Sequence, residues 1–230
     1  MKATLAALAA IPGRDPLPTL RSLRSQVDRL CLYWNGPETA LPAGTRAIAD
    51  EVRINPANGG SVRKLAWASE WDGLYLACDD DLIYPPDYAA VMGHAVQRWD
   101  GRALVVAQGR RLHPDATTYA DCDLAGRALA SVAVGAWLNY PGACALAFDA
   151  SVVPVGDAPM PYPNQEQECL ALWAQQTQTP IWLVAHVAGW IQPVPAVGAT
   201  LWQQAVARGH DTENRLIASG RPWRVHVCAT

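Results

Sequence analysis

Three consecutive aspartates, Asp79, Asp80 and Asp81, follow the apolar residues 74–78 in the stretch LACDDDLIYPPDYAAVM. At ~6 Å and an effective dielectric of ~20, two such carboxylates repel by roughly 3 kcal/mol. Solvent or a raised pKa absorbs part of that cost, whereas a divalent cation removes it directly. Side chains alternate along an extended chain, so Asp79 and Asp81 point one way and Asp80 the other. A pair of carboxylates two residues apart can grip a hard cation that keeps open positions for phosphate oxygens. An acidic triplet is also what a solvated turn contains, so the surrounding elements decide between the two.

Those elements read as an open α/β sheet. Residues 4–11 are apolar throughout, as for a strand covered on both faces. Leu20, Leu23 and Val27 then share one helical face, with the helix starting near Pro18. Residues 30–34 form a second strand ending at the Asn35-Gly36 turn, and residues 74–78 a third. Pro85, Pro86 and Asp87 suit the first turn of a helix whose Tyr88, Val91, Met92, Ala95 and Trp99 face the core. Residues 103–107 read as another strand. Arg14, Asn35 and the aspartate triplet all follow strand ends, which places them on the edge where α/β sheets bind ligands. Beyond residue 110 the pattern predicts a strand, a turn at Pro141-Gly142 and a strand over 133–148, a helix over 165–176 and a strand over 181–184. A loop over 193–198 and helices over 201–207 and 212–218 follow, the last capped by Asp211. No repeat or linker divides the chain, so a single domain over 1–230 is expected.

Composition narrows the function. Half of the 230 residues are hydrophobic and 17% are charged, enough apolar surface for a sizeable core. A formal charge of −3 disfavours general nucleic-acid affinity, which needs a basic face. Six cysteines occur without a C-x-x-C pair and fit a reducing compartment better than a zinc site. With no run of about 20 apolar residues and no clear leader, the expectation is a cytoplasmic protein without a membrane span. Ten tryptophans against one phenylalanine suggest that some indoles line a binding cleft.

The segment DDDLIYPPDY, residues 79–88, closely resembles the DDDxxYPxDY segment of bacterial GT-A glycosyltransferases related to family 2. IPGR at 11–14 with Leu20, Ser22, Leu23 and residues 26–28 is similar to that family's opening strand and helix. YWNG at 33–36 resembles its second strand end, and Gly60 with Lys64 the glycine and lysine before its metal motif. Weaker similarity continues through Gln175 and residues 179–181, so the likeness covers nearly the whole chain.

The resemblance implies a single-domain GT-A fold with a mostly parallel central sheet flanked by helices. Residues 1–110 would form the nucleotide-sugar half, and 111–230 the acceptor side with a C-terminal lid. It implies a UDP-sugar donor and Mn²⁺ or Mg²⁺. Pro12, Arg14, Asn35, Lys64, Asp79 and Asp80 would contact the nucleotide-sugar, while Asp79, Asp81 and His186 would hold the metal. For the base that takes the acceptor proton in an inverting transfer, spacing back from residue 181 favours Glu168, with Glu166 second. The family's Glu-Asp pair stands here as Gln167-Glu168, and retention is the outcome if no carboxylate occupies that position. Trp190 and residues 210–215 would close as a lid. The acceptor is a glycan or another hydroxyl compound, a nucleic-acid acceptor being less favoured. The competing readings are a nucleotidyltransferase, for which the single glycine at 12–16 is a poor phosphate cradle, and a non-catalytic nucleotide- or metal-binding module.

Overall fold

The computed structural model of the protein describes residues 2–195 and 201–229. In chain order the elements are β1 (Thr4–Ala10), α1 (Leu17–Arg24), β2 (Arg29–Trp34), α2 (Thr45–Ile48), β3 (Glu51–Ile54), β4 (Leu74–Asp79), β5 (Leu82–Ile83), α3 (Tyr88–Arg98), β6 (Leu104–Val106) and β7 (Gly109–Leu112). They continue with β8 (Cys122–Gly126), β9 (Ala136–Leu138), β10 (Tyr140–Pro141), β11 (Ala145–Asp149), α4 (Glu166–Thr177), β12 (Ile181–Leu183), β13 (Gln192–Pro193), α5 (Leu201–Ala207) and α6 (Asp211–Ser219).

Eight strands form the central sheet in the order β3-β2-β1-β4-β11-β6-β12-β9. The first four run parallel; β1, β2 and β4 are the apolar runs expected of strands buried on both faces, while β3, half charged, is an edge strand that the sequence did not announce. Leu8 and Leu76 face one core layer, with α1 and α3 packed on it. Leu5, Ala7, Tyr75 and Ala77 face the other, closed by α4 through Leu170 and Trp173. Strand β11 was not foreseen in its place: it enters antiparallel between β4 and β6. Periodicity marks a strand but carries no information on its neighbour or direction.

Smaller corrections follow from local geometry. Helix α1 ends at Arg24, so Val27 is buried just beyond it rather than on its face. The buried side of α3 is Tyr88, Ala89, Met92, Gly93 and Val96, rotated from the expected stripe. Asp211 is the first residue of α6 and makes no capping bond; His210, in a left-handed conformation, precedes it. The loop expected over 193–198 begins with Pro193 paired to Leu82, and its residues 196–198 lie outside the described residues. Among the described residues no helix is long and apolar enough to cross a membrane.

Candidate active site

The turns after β1 and β4 meet over α1. Asp80 is turned inward and 5% exposed, where Arg14 Nη1 meets its Oδ1 at 2.8 Å and Asp81 Oδ2 at 3.4 Å. Asp79 and Asp81 stay partly exposed; residues 80 and 81 form a turn after the strand rather than an extended segment, so Arg14 reaches both Asp80 and Asp81. The buried Thr19 hydroxyl lies 2.9 and 2.7 Å from the carbonyls of Asp80 and Leu82, so α1 holds the turn from below. Burial pushes the Asp80 carboxyl up to about 6 despite Arg14, with Asp81 and Asp79 adding to the effect. Burial and then the charge of Asp79 also raise Asp81.

Lys64 reaches the same edge from inside. It is 2% exposed and pairs with Asp79 Oδ1 and, at 2.9 Å, with Glu166 Oε1. Burial opposes its charge, but the two carboxylates outweigh burial and raise its pKa. Glu166 also accepts the Ser61 hydroxyl; burial disfavours its charge, yet Lys64 and Ser61 hold it below the usual range. Tyr84, the tyrosine of the DDDLIY segment, accepts the Asp79 amide at 2.8 Å and donates to the Cys144 carbonyl. The end of β4 is thereby tied to the second half of the chain.

Asn35 has a different task from the one expected. It is buried, and its amide accepts from Gly59 N at 2.8 Å and donates to Gly60 O at 3.1 Å. Gly60 has φ +81°, and a Cβ there would lie 1.9 Å from the Pro163 carbonyl oxygen. Ser61 N meets Asn164 Oδ1 at 3.0 Å and Val62 N meets Pro163 O at 3.1 Å, so this loop is stitched to the segment that delivers Glu166. Pro12 is exposed and covers Gly36.

A cleft of about 390 Å³ runs from Asp79 past Cys144 and Glu166 to Arg208 and Glu213. The two candidate bases separate here. Glu166 lines the cleft; Glu168 does not, being 1% exposed behind it, where its Oε1 accepts the Tyr140 hydroxyl. Burial pushes Glu168 up to about 7 in spite of Tyr140. The ring nitrogens of His186 are both engaged elsewhere, 3.0 and 3.2 Å from the carbonyls of Val184 and Arg127. Trp190 packs on Tyr88 and donates to Asp87 at 3.0 Å. No described indole lines the cleft; Trp99, Trp137 and Trp182 instead cluster around the far end of the sheet.

No protein-family model matches the chain, and no curated protein matches it. Solved structures do. A mycobacterial protein superposes with a TM-score of 0.58 at 16% identity, over 96% of this chain and 76% of that one. A crystal structure of GalNAc-T7 with UDP, GalNAc and Mn²⁺ superposes with a TM-score of 0.53 at 10% identity, over 80% of this chain. The fold is of the GT-A type. The match spans 42% of the GalNAc-T7 chain, so it concerns the GT-A unit and not that whole protein.

On this GT-A frame the carboxylates can be tested for a metal. Asp79, Asp80, Asp81 and Glu166 share the cations of Arg14 and Lys64, which leaves a formal charge of −2. Two hard oxygen ligands, Asp79 and Asp81, within that excess suit a divalent cation such as Mg²⁺ or Mn²⁺. Among the described residues no group of three or more His, Cys, Asp or Glu side chains is arranged to hold a metal ion, so Asp79 and Asp81 would be a two-carboxylate set. Sequence reading missed Ser61, Tyr140, Gln165 and Glu213. Only Tyr84 had a signal, as part of the motif; the others depend on partners dozens of residues away.

Proposed function

We propose that the protein is a metal-dependent glycosyltransferase that moves a sugar from a nucleotide-sugar, UDP-sugar first among them, to an acceptor hydroxyl with inversion. The observation that carries this reading is the excess of carboxylates around Asp79 and Asp81 at the carboxyl end of a parallel strand, opening on a cleft. Asp79 and Asp81 would hold the cation, which when bound offsets the negative charge of the departing diphosphate. Arg14 fixes Asp80 and steadies Asp81, and Lys64 pairs with Asp79 and keeps Glu166 ionised. Lys64 and Asn35 act in this reading by positioning, since both are buried beneath the surface a nucleotide would touch.

Of the two glutamates Glu166 is the one that lines the cleft, and in this reading it acts as the base once the Ser61 hydroxyl yields its oxygen to an acceptor. The acceptor oxygen bonds to the anomeric carbon, the bond from that carbon to the phosphate oxygen breaks, and the hydroxyl proton passes to Glu166. Glu168 lies behind it and supports the cleft wall through Tyr140. His186 would join the metal only after giving up a carbonyl contact, so its assignment as a ligand is the weakest member of the set. Calorimetric titration of UDP tests the reading. Binding is expected to require Mn²⁺ or Mg²⁺ and to weaken at least about ten-fold in Asp81→Asn. Equal binding with EDTA and in the variant would sink it.

A further inference from the structure

The end of the cleft away from Asp79 is furnished with hydrogen-bond acceptors that have nothing to accept. Gln165, next to the start of α4, and Glu213, in the first turn of α6, are more than nine-tenths buried, and both line the cleft. Gln165 Nε2 donates to Glu213 Oε1 at 3.1 Å, which uses the amide donor and leaves its oxygen. Gln165 Oε1 and Glu213 Oε2 are both buried without a partner, as is Glu168 Oε2 behind the same wall. Arg208 lines the cleft too, but it lies 3.7 Å from Glu213 Oε1 and is half exposed, too loose a contact to satisfy the pair.

A buried acceptor left without a donor is costly, and a charged one more so. Two unpartnered acceptor oxygens in the cleft wall, one an amide's and one a carboxylate's, offer nothing to a phosphate or carboxylate, which Glu213 and Glu166 would also repel. A single hydroxyl has one hydrogen and can answer only one of the two. An ammonium group has three hydrogens and the opposite charge.

We propose that this end of the cleft is an ammonium subsite formed by Gln165 and Glu213, and that the acceptor is an amine-bearing alcohol. Its ammonium group docks there while a neighbouring hydroxyl receives the sugar. The transfer part rests on the glycosyltransferase reading; recognition of the amine does not.

The test compares two probes by protein NMR titration at pH 7, methyl β-glucosaminide and its N-acetyl counterpart, which differ in the charged amine. The glucosaminide should bind about ten-fold tighter, the worth of one charge-assisted hydrogen bond. Glu213→Gln, which keeps the shape, should remove the preference. Arg208→Ala, an exposed change that spares the fold, should enlarge it by withdrawing the competing cation. Equal or weaker binding of the glucosaminide, no saturable binding of it, or a preference unmoved by both variants would overturn the proposal. UDP with Mn²⁺ is titrated into the same samples. Loss of that binding alone would refute the nucleotide-sugar reading and leave the amine result standing.

Discussion

The two ends of the cleft handle charge in opposite ways. At the aspartate end, Arg14 and Lys64 come from other parts of the chain to meet Asp79, Asp80, Asp81 and Glu166, and each carboxylate has a cationic neighbour. At the other end, Gln165 and Glu213 satisfy each other once and leave one oxygen apiece without a donor. The first end is a closed ionic network on rigid strands, fixed before any ligand arrives. The second, between α4 and the helices after residue 200, keeps its hydrogen-bonding capacity open. Preorganisation on one side and vacancy on the other suit a site that must hold a charged group firmly and choose among partners.

The sharpest way to break this contrast is to remove a cation from each end. Lys64→Ala strands two carboxylates beside a buried gap and should cost about 3–5 kcal/mol in urea unfolding. A loss below about 1 kcal/mol would mean that the network is not a structural keystone. Gly60→Ala attacks the stitching beneath that network, forcing a Cβ against the Pro163 carbonyl at φ +81°. It should cost roughly 3 kcal/mol in the same assay.

Glu168→Gln should act in the other direction. The folded carboxyl, near 7, keeps a proton that an ordinary glutamate with a pKa near 4.5 has released. Between these two values the folded chain binds more protons than the unfolded one, so stability falls as pH rises through that window. The variant removes the penalty. It should gain about 2 kcal/mol at pH 8 and nothing below about pH 4.5, as read from unfolding midpoints across pH. Part of the slope will persist, since Asp80 near 6 acts with the same sign. A variant no more stable at pH 8 than the parent would show that Glu168 is ionised and satisfied. Arg208→Ala, the counterpart of the lysine change at the open end, should move stability by no more than about 0.5 kcal/mol, because that pair is long and half exposed.

The parts legible in the sequence are those whose cause is local. Strands β1, β2 and β4 announced themselves by apolar runs, and the turn residues after them marked the edge where Arg14 and Asp80 come together. What stayed hidden depends on pairings remote in the chain. Lys64 with Glu166 and Gln165 with Glu213 are pairs that no window of the sequence contains. Asn35 was expected at the nucleotide from the family resemblance and its place after a strand, whereas both polar atoms of its amide serve the loop at Gly59 and Gly60. Glu166 and Glu168 are two residues apart on one helix, a spacing that turns them to different sides, and only the packing of α4 decides which one meets the cleft.

The antiparallel β11 also sets an order of assembly. Until residues 145–149 are made, β4 has a partner only on its β1 side, and its other edge is bare. A nascent chain that has just emitted Asp79 therefore presents four parallel strands, three of them apolar, with an unpaired rim, the kind of surface that recruits other copies. The amide of Asp79 finds the Cys144 carbonyl only when β11 docks. Truncation after residue 110 should consequently give an aggregating fragment, because it leaves that rim of β4 without its partner.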